Sequence, residues 1–241
     1  MPEPENISGA PQGQGEKAGR RPRSELAWSR RGQVFSNPVT GERAVLLTDP
    51  ETHPDRALVA HLFVSPGGRV AAPHVHPVAT ERFHVLAGRV GFQVDGRRSE
   101  LDVGQSCEVP PGVSHDWWQI GAEEAQVLVE VTPGERFVRI IATTFGLARD
   151  GHVDARGLPH LLQAAVSLTA YRDTVVFASP PPLVQRFLFG GLAPLSRLLG
   201  KQPVYPEYLF STNLAEPQPE ALALLDDQGR LRRGAALPGS T

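Results

Sequence analysis

The sequence holds a single cysteine, Cys107, so no intramolecular disulfide can form. Charge of one sign is also not in excess. Lys and Arg number 24 against 26 Asp and Glu, for a formal net charge of −2. That balance gives no general attraction to nucleic acid or to an anionic membrane, and neither is expected as a partner. The basic group Arg20, Arg21, Arg23, Arg30 and Arg31 reads as a solvated tail. Long apolar runs are missing too. The stretch MPEPENISGAPQGQGEK has no signal-peptide core. Leu183 to Leu199 is interrupted by Arg186, Arg197 and two adjacent glycines, so it reads as an amphipathic helix and not a membrane span. No helix-turn-helix with a basic face is visible, which disfavours a DNA-binding sensor. These absences together point to a protein of the reducing cytoplasm.

What is present changes in texture along the chain. Residues 1–27 are rich in Gly, Pro, Gln and charge and should be a disordered tail. Residues 28–135 alternate short β-branched or aromatic runs (GQVFSN, RAVLLT, ALVAHLFV, RFHVLA, VGFQVDG, SCEV, QVLVEV) with turn signals such as SPGG, PPG and TPGE. Strands so short and frequent predict a sandwich or barrel. Residues 136–210 switch to helical periods. One helix is predicted from Glu135 to Leu147. A second follows Gly157 and Pro159, with Leu158, Leu161, Leu162, Ala165, Val166 and Thr169 on one stripe. A third opens at Pro180 to Pro182 and should bury Leu183, Val184, Phe187, Leu188, Leu192, Leu195, Leu198 and Leu199. These helices are expected to pack on the barrel, as a lid or as core, or against a dimer partner. Residues 211–241 should be mostly disordered.

Two segments carry candidate chemistry. In GRVAAPHVHPVATERFHVLAG, His74 and His76 lie two apart, so on a strand they point the same way. Glu81 follows a short turn, and antiparallel pairing would bring it beside them. In GQSCEVPPGVSHDWWQ, His115 follows a Pro-Pro-Gly turn. Three imidazoles and one carboxylate suit Zn, Cu, Fe, Ni, Co or Mn. One divalent ion and one carboxylate sum to about +1, which favours a chelating anion.

Other residues read more plainly. His84 should face away from Glu81, and the face of His61 is not determined. His152 and His160 lie near helix starts. Cys107 reads as a small core hydrophobe, without a paired base. Glu108, Asp102 and Asp116 read as surface groups, and Glu130 as an outer-shell acid or an outward group. Parity places Phe83 and Val85 with Glu81, and Trp117 and Gln119 with His115, as candidate substrate-pocket residues.

These segments resemble the two signature motifs of the cupin superfamily. Gly68, His74, His76, Glu81 and Gly88 meet every spacing of the first, and Gly104, Pro110, Gly112 and His115 those of the second. Gln119 stands where the family has Asn. The resemblance implies a mainly β fold, a single cupin jelly-roll barrel carrying a C-terminal helical extension, often homodimeric. It implies one divalent metal ion held by His74, His76, Glu81 and His115. The expected activity is metal-dependent dioxygenation, of quercetinase-like type, of a small chelating anion. The alternatives are a non-oxidative Lewis-acid cupin (isomerase, cyclase, decarboxylase or lyase) with Glu81 as catalytic base, or a ligand-binding sensor cupin.

Overall fold

The computed structural model describes residues 29–210 and 213–232. The tail expected over residues 1–27 lies outside them, as do residues 211–212 and 233–241. The strands are β1 (Val34–Asn37), β2 (Glu42–Leu46), β3 (Leu58–Val64), β4 (His74–Val75), β5 (Thr80–Ala87), β6 (Arg89–Val94), β7 (Arg97–Leu101), β8 (Ser106–Val109), β9 (Ser114–Ile120), β10 (Ala125–Thr132) and β11 (Val176–Phe177). The helices are α1 (Glu135–Arg149), α2 (Leu161–Ala170), α3 (Pro182–Leu198), α4 (Pro206–Leu209) and α5 (Pro219–Ala223).

The strands build a jelly roll of two antiparallel sheets, ordered β1-β2-β3-β10-β5-β8 and β11-β4-β9-β6-β7. Period-two alternation turns the large apolar residues into the space between them. In β9, His115, Trp117 and Gln119 are buried while their neighbours are less so. In β5, Glu81, Phe83 and Val85 share the inner face. Phe83 meets Phe92 of β6 edge to face, with ring centroids 4.9 Å apart, which closes the core between the sheets. The turns matter to register. Gly112 has a φ of +80°, a conformation glycine adopts without strain, and its N–H donates to the His76 carbonyl at 2.9 Å. The Pro-Pro-Gly turn is thereby tied to the histidine segment.

Strand β3 is buried along its whole length. Its inner residues join the main core. Its outer Val59 packs with Leu47, Leu128, Ala221, Leu224 and Leu231. The last three come from the stretch expected to be mostly disordered. Within 213–232 that expectation gives way to an ordered segment, because an apolar strip of the six-stranded sheet needs covering. Glu130 fastens the segment, accepting from the Leu231 N–H at 2.7 Å and from Arg82 at 3.0 Å.

The helical extension departs from the sequence expectation in three ways. It supplies β11, which pairs with β4 and so extends the second sheet beyond residue 135. Helix α2 buries every residue from Gln163 to Leu168, because it lies between α3 and an internal cavity, while Leu161 is exposed. Helix α3 is inverted relative to its expected stripe. It buries Gln185, Phe189, Ala193 and Ser196, and Phe189 packs against Ala164, Ala165 and Leu168 of α2. Of the predicted stripe only Leu192 is partly buried; Phe187 is 78% and Leu198 84% exposed. Among the described residues no helix is long and apolar enough to cross a membrane.

Candidate metal centre

His74 and His76 stand at the short strand β4 and just after it, held between β9 and β11. His74 lies directly opposite His115 and opposite Phe177. Glu81 is not beside them in a strand pair. Its neighbours in register are Val109 and Val131, in the other sheet. It reaches the histidines across the space between the sheets. All four side chains are buried, and their ligand atoms lie within 4.8 Å of one another.

The imidazole tautomers follow from their outer partners. Nδ1 of His74 lies 3.0 Å from the Ala72 carbonyl, that of His76 is 2.7 Å from the Thr174 carbonyl, and that of His115 is 3.2 Å from the Val113 carbonyl. A carbonyl only accepts, so each Nδ1 carries the proton and donates. In its neutral form each ring would therefore turn an Nε2 lone pair inward. The Glu81 carboxylate faces the same point, with Oε2 at 2.9 Å from His115 Nε2 and 3.3 Å from His76 Nε2. The latter contact is off hydrogen-bond geometry, so His76 Nε2 is a buried polar atom without a partner. With all three rings neutral, four electron-pair donors would meet at one point; the 2.9 Å hydrogen bond between His115 Nε2 and Glu81 Oε2 needs a shared proton, whose place an ion would take. A shared proton satisfies part of this set, and a divalent cation satisfies all of it. The residues fit a metal ion.

The electrostatics agree. Burial pushes His74 down to about 3, helped by the neighbouring charges of His76 and His115, so it stays neutral. For His76 burial also acts downward, but Glu81 and the Thr174 carbonyl outweigh it and hold the imidazole above its ordinary value. Burial acts upward on Glu81, yet its hydrogen bond to His115 and the nearby charge of His76 hold it well below the usual carboxylate range. Glu81 is thus an ionised candidate ligand and a weak base.

The cluster opens onto a cavity of about 170 Å³, more than ten times what one water needs (roughly 10–15 Å³). Its wall is mostly apolar. Phe35, Leu46 and Leu62 contribute from the six-stranded sheet, and Phe137, Ile141 and Phe145 from α1. Phe137 also meets the His76 ring edge to face, with centroids 5.2 Å apart. No Lys or Arg lines it among the described residues. Of the residues expected at a pocket, Phe83 and Trp117 line this cavity, but Val85 and Gln119 do not. Val85 is packed into the core. The Gln119 amide instead accepts from Gly67 N–H at 2.8 Å and donates to the carbonyls of Gly121 and Glu123. It ties two loops together. His84 faces away and bonds Ser106 at 2.8 Å, and neither it nor His61 joins the cluster.

Sequence reasoning missed Thr174 and Glu42, and left open whether a helix would line the pocket. Thr174 gave no signal, since its carbonyl is backbone. Glu42 was findable: it shares the strand parity of Ala44 and Leu46, but the apolar run starts one residue after it.

Comparison with known proteins agrees with the geometry. Residues 60–131 match the family model described as Cupin domain. A protein named polyketide synthase CurC from Streptomyces cyaneus is 27% identical over 93 residues, 39% of this chain and 60% of that protein. Germin-like protein 2-4 from Oryza sativa subsp. japonica is 36% identical over 121 residues, 46% of this chain and 52% of that protein. The chain thus spans less than two thirds of the length of either relative. Among solved structures, a predicted oxalate decarboxylase from Thermotoga maritima aligns at a TM-score of 0.38 and 22% identity, covering 44% of this chain and 96% of that one.

Proposed function

We propose, from the premise that the chain belongs to the cupin superfamily through its domain at residues 60–131, that it is a metal-dependent enzyme acting on a small, largely apolar organic anion. The observation that carries this reading is the convergence of His74, His76, Glu81 and His115 on one point at the edge of an apolar cavity. When bound, a divalent ion supplies Lewis acidity and, for a redox metal, a partner for dioxygen. The chain's residues do the rest: His74, His76, Glu81 and His115 would hold the ion, and the α1 wall excludes water.

The substrate class follows from the wall. A site near +1 attracts an anion, but among the described residues no Lys or Arg lines the cavity for a phosphate. A chelating enolate, phenolate or flavonolate suits it better than a sugar phosphate. A 1,3-dicarbonyl is also in keeping with the polyketide synthase name of the Streptomyces relative. Dioxygenation of quercetinase-like type is the first reading, supported by the mixed His and Glu donor set. Non-oxidative proton transfer is the second, favoured by a further carboxyl in the same cavity, that of Glu42. Oxygen uptake with flavonols, catechols and 1,3-diketones, using iron, nickel and manganese forms, decides between them. Uptake with any pair supports dioxygenation; none across the panel supports the second reading.

The same reading includes a homodimer, supported by the apolar outer face of α3. It also includes a cytoplasmic location, supported by the lone Cys107. Burial raises the pKa of that thiol, as expected of a packed side chain and not of a nucleophile.

A further inference from the structure

Glu42 opens β2 and lies opposite Asn37 of β1 in register. Parity turns it inward with Ala44 and Leu46, and it is only 8% exposed. It lines the same cavity as His74, His76 and Glu81. The Thr40 hydroxyl donates to its Oε2 at 2.5 Å. Among the described residues no ion pair includes it.

A carboxylate placed there gives up its hydration without gaining a counter-ion, so the acid form is favoured. Burial pushes the Glu42 carboxyl up to about 8; the Thr40 hydrogen bond pulls downward, and the charge of Glu81 adds to burial. Glu81 lines the same cavity and belongs to the candidate metal cluster, so the two carboxyls divide ligand and acid roles between them. The titratable groups sharing the cavity with Glu42 are Glu81 from β5, His74 from β4 and His76 just after it. The α1 and α2 walls add only the neutral Thr143, Thr144 and Ser167. A purely structural role in the hairpin would be met equally by Gln, which keeps the acceptor for Thr40.

Resting on the reading that a chelating anion occupies this cavity, we propose that Glu42 is the proton donor to that anion. The Glu42 O–H bond breaks as an electron pair of the anion forms its new bond to the proton. Glu42 is left as a carboxylate, held by the Thr40 hydroxyl, and recovers a proton from solvent when the product leaves.

The test uses the full chain loaded with zinc and a simple 1,3-diketone as probe. Chelation is read from the absorbance of the bound diketonate, and proton delivery from deuterium incorporation at the central carbon. Glu42→Gln should chelate as the wild type does, yet incorporate deuterium about 10²–10⁴-fold more slowly above background. Infrared difference spectra of metal-free protein should show a protonated carboxyl band that titrates near 8 and is missing from Glu42→Gln. Wild-type exchange rates in Glu42→Gln overturn the proposal and leave the metal–anion reading standing. So does a wild-type spectrum at neutral pH without the band. Failure of the wild-type, zinc-loaded chain to chelate the diketone overturns that reading and the proposal with it.

Discussion

His76 Nδ1 donates to the carbonyl of Thr174 at 2.7 Å, across 98 residues of sequence. One candidate metal ligand is therefore oriented by the helical extension and not by the segment that matches the Cupin domain model. Strand β11, two residues further on, pairs with the strand that carries His74. Outer partners of this kind fix ring orientation, and their loss commonly costs about 10–100-fold in metal affinity.

A chain ending at Gly157 lacks both features. It should lose metal affinity by at least that factor, together with binding of organic anions. Zinc titration of the truncated chain, with its melting temperature measured alongside, checks this. Wild-type zinc affinity in the shortened chain would reduce the extension to a lid.

His76→Ala or Glu81→Ala should lower metal from about one ion per chain to near none, by elemental analysis. Because Nε2 must be free of protons to ligate and His76 is held above its ordinary value, affinity should begin to fall at a pH above the ordinary imidazole value of about 6.5 and go on falling below it. Retained stoichiometric metal in both variants would remove the site.

Glu42 gives a stability signature independent of catalysis. Its folded pKa, about 8, lies above the ordinary carboxylate value of about 4.3. At pH below both values the group is protonated folded or unfolded and contributes nothing. Between them the unfolded chain releases its proton and the folded chain keeps it, so stability falls as pH rises and levels off above 8. The ceiling is about 5 kcal/mol. Metal-free Glu42→Gln should therefore match the wild type near pH 4 and melt higher near pH 9. Parallel melting curves across that range would contradict the raised value.

Gln119→Leu removes one acceptor and two donors that tie the backbone of two turns together from a buried position. It should destabilise the fold by about 2–3 kcal/mol, measured by denaturant unfolding. Metal content and diketone chelation of the folded protein should stay unchanged, because the amide lies outside the cavity wall.

Phe187→Ser with Leu198→Ser changes only outward-facing residues of α3. The double variant should fold with an unchanged melting temperature at low concentration. If the wild type dimerises through this face, the variant should elute as a monomer in size-exclusion chromatography.

The sequence by itself determined the strand-rich texture, the helical turn to the chain after Pro133, and the identity of the four candidate ligands. Those properties are local: alternation, turn residues, and histidine and glutamate at fixed spacings. Tertiary structure decided what the spacing could not. Glu81 meets the histidines from the opposite sheet, although strand pairing had seemed enough to bring them together. Helix α3 has the predicted period but presents its apolar stripe outward, because a period fixes which residues share a face and not which face finds a partner. The carbonyl behind His76 is invisible in sequence for the same reason, and parity could turn Glu42 inward but not show which cavity it enters. Each acquires its role from groups distant along the chain, and only packing brings those groups within reach.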